Sequence, residues 1–547
     1  MIQTLKKMPR NTWLALFALL LITLIARLYL LASNTVSFHS DEAVVALMAR
    51  HINQGERPIF FYGQAYMGSL DAWLVALGFQ LFGESVTSIR IVQSVLYGVV
   101  VALTFGFAYR LTQNTVASFI AGLTLAVPSV LVALYTTATL GGYNETLILG
   151  VIVLWTGINL IEQGRSGTVT ARWWLQWCIF GFASGVGWWA NGLIAIFIAP
   201  VALWQLIALV RGEGISRWTW IAGIGLALVA FVIGGLPWWL FNLEHDFQAL
   251  QFFFGGNTEF AGTDLYNLTG ATRLIGAFLI GLPSLFGIRF PWSAEFFMLP
   301  LGLIVLVLYG MAVYVTLRKR AVLQGAGRHI LLSMIGIFFI IFLGSRFSSD
   351  PSGRYFLPLL IPCAVIFGAW VAYVGQKRRL LLWALPAVVV AYYGLGQVSA
   401  IAQTPPGMTT QFNLVTHIPN DDDADLIAFL EANQLTRGIS NYWITFRLAF
   451  LSGERLIYTA DFPEKDNLTY TPHFNRFLPY VEAVQNAPEI AYITANLPEV
   501  ERQIELMLAD AGINYQREQV GVYAVYYGFD PLEEAPRPPY AWVIGAE

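Results

Sequence analysis

The chain is poor in charge. Asp, Glu, Lys and Arg together make up only 12% of its 547 residues, and hydrophobic residues make up 56%. A soluble globular protein carries about 25% charged residues. The mean hydropathy of +0.60 points the same way. The chain has too few polar groups to cover the surface of a water-soluble particle of this size. The composition therefore excludes an ordinary soluble protein and predicts a polytopic membrane protein.

Cysteine is scarce, and there is no excess of basic residues. The only two cysteines, Cys178 and Cys363, both lie in apolar stretches, so no disulfide framework is expected. The formal net charge is −3. A nucleic-acid-binding protein usually shows a basic footprint, which this chain does not have. We therefore expect no nucleic-acid partner.

Long apolar runs are what the chain has instead. A membrane span needs about 20 mostly apolar residues. Eleven runs qualify, at roughly 12–32, 91–109, 115–134, 146–161, 173–188, 192–210, 218–240, 299–317, 329–345, 355–374 and 380–398. If every run crosses, six basic stretches fall on one side, which the positive-inside rule makes cytoplasmic. This predicts a multi-pass plasma-membrane protein with a cytoplasmic N-terminus and an extracytoplasmic C-terminal domain.

Three further segments set the predicted domain organisation. The runs 71–83 and 272–290 do not fit as spans, so we interpret both as interfacial or re-entrant helices on the outer face. Beyond residues 404–406 the chain has ordinary charge density, and predicted strands alternate with predicted helices. We expect a transmembrane catalytic domain over residues 1–400 and a small α/β domain over 401–547.

Two groups of acids lie near predicted outer membrane edges. Asp41 and Glu42 follow the first span, and Glu145 opens the fourth span after a glycine-rich loop. Charge is expensive near a bilayer, so such acids favour a functional role. As a general base, a carboxylate can accept a proton from an acceptor hydroxyl, and Asp41 with Glu145 can hold a divalent cation. The alternative is helix capping, worth about 0.3–1 kcal/mol for each acid.

Basic and aromatic side chains on the same predicted face are candidates for substrate contact. Arg346 and Arg354 bracket an outer loop, and Arg90 begins the second span. Arginine matches phosphate geometry with a bidentate fork, although arginines at helix ends also commonly extend toward the interface. The further candidate substrate-binding residues are His39, Tyr66, Tyr143, Asn144 and Tyr355.

Several of these segments resemble one known family. They are His39-Ser40-Asp41-Glu42-Ala43 after the first span, the run from Gly63 to Leu74, Leu81 to Arg90, Pro237-Trp238-Trp239 with Asn242, and Gly353 to Pro358. Together they resemble the polytopic GT-C glycosyltransferases, in particular the family-39-like group. That group includes protein O-mannosyltransferases and the transferase that adds aminoarabinose to lipid A.

The resemblance implies a membrane glycosyltransferase of the cell envelope. It implies a polyprenyl-phosphate sugar donor used on the outer face, a glycan, lipid or protein acceptor, and inversion at the anomeric carbon. Asp41 matches the family's general base by position, with Glu42 and Glu145 as supporting acids. One departure concerns Met67 to Asp71. The aminoarabinose transferases carry a phosphate-binding lysine in that region, so lipid A modification is not carried over.

Two other classes of function remain open from the sequence. A transporter or flippase of lipid-linked sugars would carry acids and broken helices near the bilayer midplane, often with internal repeats. The chain has charges mainly at span ends and no repeat. A catalytically silent binding protein would use the outer acids only as helix caps. The sequence therefore favours the transferase.

Overall fold

The computed structural model describes residues 8–254, 270–345, 348, 350–403, 407–412, 414–464, 468 and 471–531. Nine helices in these ranges are long and apolar enough to cross a membrane. They are Arg10–Ala32, Val86–Thr112, Tyr143–Arg165, Gly192–Arg211, Arg217–Gly234, Leu299–Arg318, Gly325–Gly344, Arg354–Gly375 and Leu381–Ala402. The predicted phosphate ligand Arg346 lies outside the described residues.

Two of the predicted spans differ from this set. The run 115–134 is broken into the helices Thr115–Ala126 and Val130–Tyr135. Pro128 lies in the break, and proline both lacks an N–H and disfavours helical backbone before it. The run 173–188 does form a helix, Ala171–Ala190, but its arginine and five tryptophans lower its mean hydropathy. The eleven crossings therefore stay a prediction, while a helical polytopic protein is confirmed.

The remaining helices of the membrane region are short. They are Ser40–Gln54, Leu70–Phe82, Leu236–Glu244, Gln248–Phe254 and the stretch Gly270–Leu285, whose middle is π-helical over Gly276–Gly281. The segment 71–83 corresponds to the helix Leu70–Phe82, which has 13 residues, and the segment 272–290 overlaps the helical stretch Gly270–Leu285. Both are shorter than the nine candidate spans. A hairpin of strands β1 (Phe60–Phe61) and β2 (Gln64–Gly68) precedes Leu70–Phe82.

The helix Ser40–Gln54, here called the juxtamembrane helix, carries the first acids. Asp41 and Glu42 lie in its first turn, where carboxylates favour the helix dipole. Gly55 ends it with a φ of 115°, a conformation that suits glycine. Ala43 to Ile52 are all buried, because the helix packs against Leu70–Phe82 on one side and the C-terminal domain on the other. This helix therefore joins the two parts of the protein.

The C-terminal domain is a mixed five-stranded sheet with helices, as the alternating pattern predicts. Its strands are β3 (Arg437–Ser440), β4 (Ile457–Ala460), β5 (Ala491–Ala495), β6 (Asn514–Val520) and β7 (Tyr523–Asp530), in the order β4-β3-β5-β7-β6. Its helices are Asp423–Ala432, Tyr442–Leu451, Leu478–Gln485 and Pro498–Asp510. The strands β3, β4 and β5 are parallel, and β7 runs antiparallel to β5 and β6.

The helix Tyr442–Leu451, here called the docking helix, packs against the juxtamembrane helix. Phe446 and Phe450 join one buried apolar cluster with residues of the juxtamembrane helix. An ionic network reinforces this contact, since Glu454 accepts hydrogen bonds from Arg50 at 3.0 Å and from His51 at 2.9 Å. The C-terminal domain is thus held directly over the segment that carries Asp41.

Candidate active site

Asp41 lies where the juxtamembrane helix meets the C-terminal domain. Its side chain is 29% exposed. Its Oδ1 accepts a hydrogen bond from the hydroxyl of Tyr442 and lies 3.4 Å from Nη2 of Arg476. Its Oδ2 has no hydrogen bond to the described residues in the structure. The carboxylate is therefore held through one oxygen and keeps the other available.

The charges around Asp41 keep it ionised. Burial raises the pKa of Asp41, but Arg476 lowers it, with further lowering from His39, the Tyr442 hydroxyl and Arg354, and the net pKa is below the ordinary value. Opposite charges and donors favour a carboxylate in this way. An ionised carboxylate with a free oxygen is what a general base requires.

Glu42, the next residue, is fully buried. Its Oε1 accepts hydrogen bonds from Nη1 of Arg90 and from the Thr139 backbone N–H at 3.2 Å. Arg90 also donates to the backbone oxygens of Thr137, Val36 and Ser37. Phosphate contact by Arg90 stays a prediction, and this pairing argues against it, because the guanidinium is already engaged. The pair instead fixes the loop after Tyr135 against the juxtamembrane helix.

The stability of the protein should depend on pH through Glu42. Burial raises the pKa of Glu42 to about 7 from 4.5, although Arg90 opposes the rise. The folded protein then binds a proton more tightly than the unfolded chain, so the stability from Glu42 is complete below about pH 4.5 and is lost as pH rises through about 7. The full change is on the order of 3 kcal/mol, at 1.36 kcal/mol per pKa unit.

Thermal unfolding of the wild type and of Glu42→Gln across pH 5–8 measures this effect. The amide cannot titrate, so it mimics the protonated acid at every pH. We expect the difference in Tm, wild type minus variant, to be largest at pH 5 and to shrink toward pH 8. A difference that stays constant, or grows with pH, would contradict the assignment.

A second pair of acids lies behind this loop. Asp71 is 2% exposed and accepts hydrogen bonds from the side chains of Gln93 and Thr139 and from the N–H groups of Gly141 and Gly142. Both glycines have φ near +90°, so the loop needs glycine to aim its N–H groups at Asp71. Burial raises the pKa of Asp71, and these four donors oppose it.

Glu145 is 3% exposed and lies against Asp71. No donor hydrogen-bonds to either of its carboxyl oxygens within the described residues. Its carboxyl group is next to that of Asp71, and two neighbouring carboxyl groups disfavour being ionised together. The structure therefore places Glu145 with Asp71.

Arg354 lies within electrostatic range of Asp41. Its Nη2 pairs with Oδ2 of Asp350 at 2.7 Å, and its side chain is 35% exposed. The guanidinium lies over the ring of Tyr355, 5.1 Å from the centroid. It interacts electrostatically with Asp41 and with Tyr143. A cation is thus available near the candidate base, with Nε making no hydrogen bond to the described residues.

Aromatic residues surround Arg354. Tyr143 packs edge-on against Tyr135 at 5.5 Å, and Tyr66 interacts electrostatically with Tyr355. The residues that the sequence predicts for substrate contact, Tyr66, Tyr143 and Tyr355, are therefore grouped by the structure around Arg354. Such rings suit an interfacial site, because they offer an apolar face and a hydroxyl together.

The other two candidates for substrate contact are buried in the framework. His39 is 5% exposed, and its Nε2 is hydrogen-bonded to the hydroxyl of Thr410 at 2.8 Å. Burial lowers the pKa of His39 to about 4, so it is neutral at physiological pH. Asn144 is 1% exposed and donates to the side-chain oxygen of Gln93 at 2.7 Å. These contacts suggest support of the site, and substrate contact by either residue stays a prediction.

A divalent cation shared by Asp41 and Glu145 also stays a prediction. No group of three or more His, Cys, Asp or Glu side chains is arranged for a metal in the described part of the chain. Arg476 stands beside Asp41, where a cation would bind, and Glu145 lies against Asp71. The geometry gives the cation no specific support.

Sequence reasoning missed Tyr442, Arg476 and Asp71. The first two lie 401 and 435 residues from Asp41 in sequence, so no local spacing connects them. A signal did exist for Asp71, because it is an acid in the first turn of an otherwise apolar helix.

Comparisons with known proteins agree with this architecture. Residues 69–238 match the family described as dolichyl-phosphate-mannose-protein mannosyltransferase. An undecaprenyl phosphate-alpha-4-amino-4-deoxy-L-arabinose arabinosyl transferase of Pseudomonas aeruginosa is 28% identical over 201 residues, which is 35% of this chain and 34% of that protein. A second such transferase, of Pseudomonas fluorescens, is 24% identical over 312 residues, covering 54% and 48%. The chain thus spans about a third to a half of the length of these curated relatives.

Solved structures share the fold over nearly the whole chain. ArnT from Cupriavidus metallidurans bound to undecaprenyl phosphate matches with a TM-score of 0.61 at 15% identity, over 95% of this chain and 98% of that one. The oligosaccharyltransferase AglB from Archaeoglobus fulgidus, in complex with an inhibitory peptide and a dolichol-phosphate, matches with a TM-score of 0.53 at 13% identity, over 94% and 74%.

The fold is that of the ArnT structures: a polytopic, helical membrane protein with a small C-terminal sheet domain. Within that class, residues 69–238 are similar to the mannosyltransferase family, and about a third to a half of the chain is similar to the aminoarabinose transferases.

Proposed function

We propose that this protein transfers a sugar from a polyprenyl-phosphate donor to an acceptor hydroxyl on the extracytoplasmic face of the membrane. The observation that carries the proposal is Asp41, an ionised carboxylate whose Oδ2 makes no hydrogen bond to the described residues and which interacts electrostatically with Arg354. A base and a phosphate-binding cation on one site are the two groups that this transfer needs. The donor class is supported by the similarity to undecaprenyl phosphate-alpha-4-amino-4-deoxy-L-arabinose arabinosyl transferases and to ArnT bound to undecaprenyl phosphate.

The reaction is a single displacement. The acceptor oxygen attacks the anomeric carbon, and its proton passes to Oδ2 of Asp41. The bond between the anomeric carbon and the phosphate oxygen breaks, and the electron pair leaves with the polyprenyl phosphate. Arg354 stabilises the charge that develops on that phosphate, as a preorganised cation does in a partly buried site. Attack on the face opposite the leaving group inverts the anomeric configuration.

The acids behind Asp41 support this chemistry indirectly. Glu42, paired with Arg90, holds the loop 136–142 against the juxtamembrane helix, and Asp71 holds the same loop against the helix Leu70–Phe82. Glu145 lies against Asp71. We assign these residues to positioning rather than to contact with the substrate. The outer location of the site rests on the distribution of basic loops, which makes the N-terminus cytoplasmic and the C-terminal domain extracytoplasmic.

Proteoliposomes that contain the purified protein and a radiolabelled polyprenyl-phosphate sugar test the function. With candidate glycan, lipid and protein acceptors outside, we expect label in an acceptor and the release of equimolar polyprenyl phosphate. Vesicles without protein are the control. Movement of intact donor across the bilayer with no cleavage would instead identify a flippase. Neither transfer nor movement with any acceptor would contradict the transferase.

A further inference from the structure

The C-terminal domain supplies two side chains to the candidate base. Tyr442 begins the docking helix, and Arg476 lies just before the helix Leu478–Gln485. Both act on the same oxygen of Asp41: the Tyr442 hydroxyl donates to Oδ1, and Nη2 of Arg476 lies 3.4 Å from it. A carboxylate that is gripped at one oxygen has a fixed plane and presents the other oxygen in one direction.

Arg476 is itself held firmly. Its side chain is only 5% exposed, and its guanidinium lies 4.6 Å from the ring centroid of Tyr442 and 5.0 Å from that of Phe61. The β1–β2 hairpin closes over it at Gly63, where an added Cβ would lie 3.1 Å from Arg476. A stacked and enclosed guanidinium loses little freedom when it orients a partner.

We propose that Tyr442 and Arg476 are positioning residues for Asp41, so that the C-terminal domain completes the active site of the membrane domain. The inference rests on the proposed function. Neither residue needs to touch the sugar or the phosphate. Their effect is to hold Asp41 ionised and to aim Oδ2 at the acceptor hydroxyl, and a small misplacement of such a group is costly to the rate.

The other groups that face Asp41 do not replace this pair. His39, from the residue preceding the juxtamembrane helix, is neutral because burial lowers its pKa to about 4. Arg354 interacts electrostatically with Asp41, but its ion pair is with Asp350. Tyr135 interacts with Asp41 electrostatically, with no hydrogen bond between the two. The groups that contact Asp41 directly among the described side chains are those of Tyr442 and Arg476.

The test measures kcat, donor KM and the pH profile of kcat in full-length variants. Tyr442→Phe removes one hydroxyl, and we expect kcat to fall by about 10- to 100-fold, as for a hydrogen bond to a charged group. Arg476→Gln should lower kcat similarly. In both variants the acidic limb of the profile should move to higher pH, because the groups removed lower the pKa of Asp41. Donor KM should stay near the wild-type value.

Conservative and distant variants separate positioning from folding. Arg476→Lys keeps the charge, so its acidic limb should return toward the wild type while kcat recovers only in part. Tyr458→Phe is the control for the hydroxyl, since Tyr458 is a buried tyrosine of the same domain that donates to the Leu435 oxygen. Arg517→Gln is the control for the stacked cation, since Arg517 lies over Tyr526 and pairs with Glu501. Both controls should leave kcat and the pH profile unchanged.

Three results would overturn the inference. The first is a wild-type kcat and pH profile in both Tyr442→Phe and Arg476→Gln. The second is a raised donor KM at constant kcat, which would make Arg476 a donor contact. The third is a loss of kcat that only follows the folded fraction, with the acidic limb unmoved. A wild type that transfers no sugar would overturn the proposed function as well, which distinguishes the two failures.

Discussion

Replacing Asp41 by asparagine should lower kcat for sugar transfer by about 10²–10⁴-fold, the usual contribution of a general base. Asparagine keeps the size of the side chain, and its amide oxygen can still accept from Tyr442. It cannot take the proton of the acceptor hydroxyl. The loss should therefore appear in kcat, with donor binding close to that of the wild type.

Asp350→Asn is the matched control for this variant. Asp350 is another acid of the same site, paired with Arg354 rather than with the base, so its loss should leave most of kcat. Circular dichroism and thermal unfolding would show that both variants are folded. An Asp41→Asn protein that transfers sugar at the wild-type rate would remove Asp41 from the chemistry.

Replacing Arg354 by glutamine should lower kcat/KM for the donor by about 10²–10³-fold, the cost of removing one preorganised donor from a developing charge. Arg354 has a partly exposed side chain beside Tyr355 and interacts electrostatically with Asp41, which is why we propose it as the phosphate-binding cation. Glutamine retains a polar group but no charge. Steady-state kinetics with varied donor measures the effect.

Arg354→Lys and Asp350→Asn sharpen this second prediction. Lysine restores the charge without the planar fork, so we expect partial recovery. Loss of the Asp350 carboxylate frees Arg354 from its 2.7 Å ion pair, so donor affinity should be equal to or higher than that of the wild type. An Arg354→Gln protein with an unchanged kcat/KM would mean that the donor phosphate is bound elsewhere.

The membrane architecture could be predicted from the sequence because it follows from composition. Apolar length and loop charge are local signals, and they locate most of the helices that the structure describes. The exception at 115–134 shows the limit of hydropathy. Pro128 ends the helix there, and Gln397 from the last span then binds the Pro128 oxygen at 2.6 Å, a contact that no local pattern reveals.

The candidate site was only partly predictable. Asp41 and Arg354 could be proposed because each stands at the end of an apolar run, where charge is expensive. The partners of these groups depend on how distant segments pack. The sequence predicts Arg90 as a phosphate ligand, yet the structure pairs it with Glu42. Tyr442 and Arg476 contact Asp41 from the C-terminal domain, whose composition gives no hint of this role.

The anomeric configuration of the product shows whether Asp41 acts as a base in a single displacement. A carboxylate that instead attacked the sugar would form a covalent intermediate, and a second displacement would restore the configuration, as in retaining glycosidases. NMR of the product from a donor of known configuration decides between them. We expect inversion, and a product with retained configuration would contradict the role of Asp41 as a base.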